Sequence, residues 1–160
     1  MINAGSSLHL AAEPSDIKPL AINFPPQSSP ALQSALNGAT PFLRELTRIH
    51  GCINSDAGML RLNSMSVVGD NFGTYPAAFW SPDGSANVMY HDRAYCVIPE
   101  SLGNVEMLAA NTLKLRVMYV ASDSQERVYF GYIIRRNGAG EWRLAKMQAV
   151  KNMNDYKNLY

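Results

Sequence analysis

The chain of 160 residues has little charge and no long apolar run. Its 14 Lys and Arg and 13 Asp and Glu residues make up 17% of the sequence, below the roughly 25% typical of soluble domains. A formal net charge of +1 argues against the broad electrostatic footprint that nucleic acid and anionic membrane surfaces require. The missing run of about 20 apolar residues excludes a transmembrane helix. We therefore expect no nucleic acid partner and no membrane insertion.

Cysteine and histidine are too few and too scattered for a metal centre. The only cysteines, Cys52 and Cys96, match no zinc or CxxC spacing, and the 3 His form no HxH or HExxH motif. The sequence therefore predicts no metal and no cofactor. For the cysteines two alternatives stay open. They form a disulfide if the compartment is oxidising, or they are two separately buried thiols.

Motifs of nucleophilic catalysis are missing as well. There is no GxSxG, and the glycine loop at 69–73 lacks the Lys and Ser or Thr of a phosphate loop. His91 and Asp92 are adjacent, so on a strand they would point to opposite faces, and Asp92 would not orient His91 as a general base. His50 lies at the end of a predicted helix. A protonated histidine there would interact favourably with the last carbonyl groups, which explains its presence without a catalytic role. The sequence predicts no catalytic residue and a non-enzymatic protein.

Residues 1–29 are rich in proline and serine, and we expect them to form an extended N-terminal arm. The arm also has apolar side chains that a flexible linker would lack, so it is either a disordered leader remnant or a segment docked on the domain or on a partner. Its first residues lack the basic and apolar parts of a signal peptide. We expect an exported, periplasmic or envelope-associated protein whose leader is absent from this chain, with a cytoplasmic protein as the alternative.

Residues 30–160 are predicted to form one domain. Ser29-Pro30 and Thr40-Pro41 each place a capping hydroxyl before a proline, which predicts two short helices over 30–37 and 41–50. The composition of 99–111 favours another short helix. From Met59 onward the apolar period shifts toward two. This pattern predicts six strands, at 59–68, 75–80, 86–98, 112–121, 126–136 and 141–150.

The fifth of these strands has apolar residues on both faces, because Val128, Phe130 and Tyr132 alternate with other apolar residues. It should be central, with its second face covered by a helix, the arm or a partner. The predicted fold is α+β, with a curved antiparallel sheet of five or six strands packed on two or three short helices.

The segment from Tyr132 to Leu144, ending in Glu141-Trp142-Arg143-Leu144, resembles the end of nuclear-transport-factor-2-like cone folds. The resemblance implies a curved antiparallel sheet that wraps helices, in an NTF2-like or cystatin-like cone. It implies no functional residue, because fold alone does not determine function.

Aromatic residues cluster in the middle third of the chain and are either core residues or anchors for a partner or ligand. With the neighbouring histidine, the candidate binding residues are Phe72, Tyr75, Phe79, Trp80, Tyr90 and His91. We predict an exported protein that binds another protein or itself, such as a secretion-complex subunit or an inhibitor or immunity protein. The alternatives are an NTF2-like pocket protein that binds or converts a small molecule, and a structural subunit whose arm adds a strand to a neighbour.

Overall fold

The computed structural model describes residues 29–51, 56–67, 97–121 and 127–160, and it confirms an α+β protein with an antiparallel sheet. Within these ranges the sheet has four strands in the order β1-β2-β3-β4, each antiparallel to the next. The elements in chain order are α1 (Pro30–His50), α2 (Asp56–Asn63), β1 (Val97–Ala109), β2 (Thr112–Ala121), β3 (Arg127–Arg136), β4 (Trp142–Ala149) and α3 (Met153–Lys157).

The three strands predicted at 112–121, 126–136 and 141–150 are confirmed as β2, β3 and β4. Alternation divides the sheet into two faces. The inner face packs against α1, and its buried residues on β2 and β3 are Leu113, Leu115, Val117, Tyr119, Phe130, Tyr132 and Ile134. The residues between them form the outer face.

Helix α1 is one continuous helix rather than the two predicted. Ser29 caps it, since the Ser29 Oγ accepts a hydrogen bond from the Leu32 amide at 3.2 Å. Pro41 lies inside the helix and cannot donate to the carbonyl one turn earlier, yet the helix continues. The reason is burial, because an unbroken helix keeps Leu36 and Leu43, both fully buried, in one stripe against the inner face.

Two other predictions were wrong about the type of element. Of the segment predicted as a strand over 59–68, residues 59–63 belong to α2, and Ser66 farther along forms an isolated parallel bridge with Leu144. The segment 99–111, predicted as a helix, lies largely in β1. Pairing with β2 buries part of its apolar residues against the core and so overrides helix propensity.

Several predictions concern residues outside the described ranges. These are the arm up to residue 28, the strand at 75–80, most of the strand at 86–98, and the cysteines Cys52 and Cys96. Among the helices that the structure describes, none is both long and apolar enough to cross a membrane.

A histidine and two tyrosines lie together in the core between α1 and the inner face. His50 Nδ1 is 2.5 Å from the Tyr132 hydroxyl, which also contacts the Tyr119 hydroxyl, and all three residues are fully buried. The His50 ring meets Phe130 edge to face, with centroids 4.5 Å apart. Burial lowers the pKa of His50 to about 3. His50 is therefore neutral at pH 7 and is not the helix-end cation that the sequence suggested.

This burial predicts a loss of stability in acid. Between about pH 6.5 and about pH 3 the unfolded chain protonates His50 while the folded chain does not. The free energy of unfolding should therefore fall as the pH drops through this window, by up to about 1.4 kcal/mol per pH unit from this group. Urea unfolding at several pH values measures the slope. In His50→Asn the part of the pH dependence that comes from this histidine should vanish. An unchanged slope would show that burial of His50 is not its cause.

Candidate functional site

The last residues of the chain fold back over the outer face of the sheet. Val150 and Leu159 are each only 2% exposed, and the short helix α3 between them is capped by the Asn152 side chain. Leu159 and Val150 approach Gly131 so closely that a Cβ there would lie 2.6 Å and 2.9 Å from their side-chain methyl groups. We call residues 150–160 the tail. It supplies the cover that the second apolar face of β3 was predicted to need.

A buried lysine joins the tail to the sheet. Lys114 is 1% exposed, and its Nζ donates to the Lys157 carbonyl at 3.3 Å. The same Nζ lies 4.6 Å from the ring centre of Tyr156 and 4.4 Å from that of Tyr160. The two rings provide cation–π stabilisation for an ammonium group that is itself buried, with Tyr156 buried and Tyr160 exposed on its outer side.

A tyrosine connects the tail to the edge strand β1. The Tyr156 hydroxyl donates to Glu106 Oε2 at 3.2 Å, and burial together with this carboxylate raises the pKa of Tyr156. Glu106 pairs with Lys114 in the β1–β2 register, so both lie on the outer face. The tail is therefore held by polar contacts as well as by apolar ones.

A second cation lies flat on the outer face beside the tail. The Arg116 guanidinium stacks 4.8 Å from the ring centre of Tyr129, and it lies close to the backbone of Gly103 in β1. The Arg116 Nε is buried and has no hydrogen-bond partner within the described ranges. Arginine stacked on tyrosine is a common element of protein interfaces, because both side chains bind through flat, partly apolar surfaces.

Three more cations lie on the outer face of β3 and β4, beyond the tail. Arg135 is paired directly with Arg143 in the antiparallel register, and Lys146 is paired with Ile133 two positions along β3. Arg135 and Lys146 are exposed, and Arg143 is partly exposed. We call Arg135, Arg143 and Lys146 the basic patch.

The cations of the outer face are poorly neutralised. Arg143 pairs with Glu141 at 3.3 Å, and more than half of the Glu141 side chain is exposed. In the described part of the chain no carboxylate forms an ion pair with Lys114, Arg116, Arg135 or Lys146. Such a face can bind carboxylates or other anions, and arginine can do so with two parallel hydrogen bonds. No three metal-ligating side chains come together in the parts of the chain described.

The binding residues predicted from the sequence lie outside the described ranges. They are Phe72, Tyr75, Phe79, Trp80, Tyr90 and His91. The outer face was missed because the net charge was taken for the whole chain. Residues 112–160 contain nine Lys and Arg against four Asp and Glu, a net charge of +5, whereas residues 1–111 contain five against nine, a net charge of −4. A charge count by segment would have found the basic half.

Comparison with known proteins identifies no relative of this chain. No family model, no curated protein and no solved structure matches the chain. The resemblance of its last strands to the NTF2-like cone therefore stays a prediction, and the function has to be argued from the geometry.

The close approach at Gly131 predicts how the tail can be displaced. In Gly131→Ala the new methyl group collides with Leu159 and Val150, so we expect a loss of about 1–3 kcal/mol in unfolding free energy. Hydrogen exchange should increase in residues 153–160. Gly138→Ala is the control, because nothing lies within 4 Å of a Cβ there. Adding Leu159→Ala to Gly131→Ala should cost less than the two single changes summed, and additive losses would contradict the contact.

Proposed function

We propose that this chain is a non-enzymatic, exported protein that binds another protein or itself as part of an assembly. A subunit of a bacterial envelope or secretion complex and an inhibitor or immunity protein both match this description. The observation that supports it best is the contrast between the two faces of the sheet. The outer face presents three accessible cations, of which only Arg143 forms an ion pair within the described ranges, together with the exposed Tyr160, whereas the acid–base groups of the inner face are enclosed.

The enclosure of the inner face argues against catalysis there. His50, Tyr119 and Tyr132 are fully buried and contact one another beneath α1. Burial also holds His50 neutral, with a pKa of about 3, and raises the pKa of Tyr119. A general base should instead have a pKa near the working pH and be able to reach substrate. These three groups support the fold better than they would support a reaction.

The proposal also includes the curvature of the sheet and its number of strands. We infer that the whole sheet is a curved cone of five or six strands, as in NTF2-like or cystatin-like folds, of which four are described. Register shifts in β1 and β4 support curvature, because bulges bend the strand in which they occur. Export is supported by the low charged fraction and by the two cysteines, which would form a disulfide only in an oxidising compartment.

The test is the native mass of the protein recovered from its own host without reductant. The proposal predicts a retained protein partner or a defined oligomer. A monomer with a small additional mass would contradict it and would favour the pocket protein, with His91, Asp92 or a tyrosine at the mouth. A turnover by the purified protein that His91→Ala abolishes would also contradict it.

Removal of the arm gives an independent prediction. Deleting residues 1–28 leaves Ser29 in place to cap α1, so the core should stay folded, which far-UV circular dichroism measures. If the arm contacts the partner, partner retention should fall. Full retention by the shortened protein would show that the arm is not part of the interface and would leave the outer face as the binding surface.

A further inference from the structure

The basic patch has a structural cost that folding alone does not explain. Arg135 and Arg143 are direct cross-strand partners on one face, and like charges in that position destabilise a sheet. Within the described ranges the carboxylate that pairs with the patch is that of Glu141, which is exposed at a hairpin and contributes little in water. A neutral pair at these two positions would give a more stable sheet.

The positive charge that a partner can reach on the outer face is that of the patch itself. Lys114 on the neighbouring strand is 1% exposed and lies opposite Glu106 in the β1–β2 register, and Arg116 is stacked on Tyr129. Tyr160 and Met153 of the tail are 66% and 38% exposed. Tyrosine, methionine and arginine are enriched in protein interfaces, where they act as flat or flexible anchors around charged contacts.

We propose that the basic patch binds an acidic segment of a partner protein through its carboxylates. This proposal rests on the function proposed above and adds the chemistry of the partner. Charge complementarity is the argument, since the patch has two arginines side by side whose planar forks match carboxylates.

A protein segment suits the patch better than the other polyanions. Tight nucleic acid binding typically neutralises about 6–10 phosphates, and lipid-binding basic clusters have about 4–8 cations together. The patch has three, one of them paired with Glu141. A short acidic peptide requires no more than this number of charges, and the exposed tail side chains can contact its apolar residues.

The experiment measures binding of a fluorescein-labelled peptide of alternating Glu and Ala by fluorescence anisotropy at low ionic strength. Arg135→Ser with Lys146→Ser should weaken binding by about tenfold or more. Arg44→Ser is compared with the single change Arg135→Ser, because each removes one cation and Arg44 is exposed on α1 at a distance from the sheet's outer face. Its affinity should stay within about twofold of the wild type.

Two results would overturn the proposal. One is equal weakening by Arg44→Ser and by Arg135→Ser, which would indicate only the overall charge. The other is that phosphatidylglycerol vesicles or a short DNA duplex bind the wild type more tightly than the peptide does. The unfolding free energy of Arg135→Ser is measured alongside its binding. We expect this free energy not to fall below that of the wild type. Weaker binding by an equally or more stable variant would support a functional role of the unfavourable pair.

Failure of this proposal can be told apart from failure of the proposed function. If the native complex keeps its protein partner when Arg135 and Lys146 are both Ser, the patch is not the binding surface although the protein still binds a partner. If the wild type has no protein partner but retains a small molecule, the proposed function fails, whatever the peptide does.

Discussion

Burial on both faces of β3 is the constraint on which the rest of the structure depends. Phe130, Tyr132 and Ile134 must be covered on the inner face, and Gly131 and Ile133 on the outer one. Helix α1 provides the first cover and the tail provides the second. Each face of β3 is covered by a single segment. For this reason α1 has to continue through its internal proline. The tail, in turn, has to approach β3 so closely that only glycine fits opposite Leu159.

The two covers leave the faces with different chemistry. On the inner face the polar groups of His50, Tyr119 and Tyr132 contact each other in a closed core, where such a buried network specifies packing. On the outer face the tail covers only part of the sheet. Arg135 and Lys146 stay exposed and Arg143 partly exposed beyond it, and among the described residues only Arg143 has an ion pair, with Glu141. The face that the core does not use is therefore the one available to a partner.

The sequence allowed the regular parts of this arrangement to be predicted. Strict alternation identified β2 and β3, and the two-sided pattern of β3 correctly required a second cover. Local propensity failed where tertiary pairing outweighed it, as in β1, and a proline signal failed inside α1 because the buried stripe extends on both sides of it. The basic patch was not predicted, since a net charge of +1 averages an acidic segment and a basic one. His50 was misjudged because its position at a helix end does not reveal which way its ring points.

We propose that this protein contacts its partner through the outer face of its sheet. Arginine labelling with phenylglyoxal, followed by mass spectrometry, tests it directly on the isolated protein and on the complex recovered from its host. Arg135 and Arg143 should be labelled less in the complex, while the exposed Arg44 on α1 should be labelled equally in both. Protection of Arg44 with unchanged labelling of Arg135 and Arg143 would contradict it, because the partner would then lie on the α1 side of the molecule.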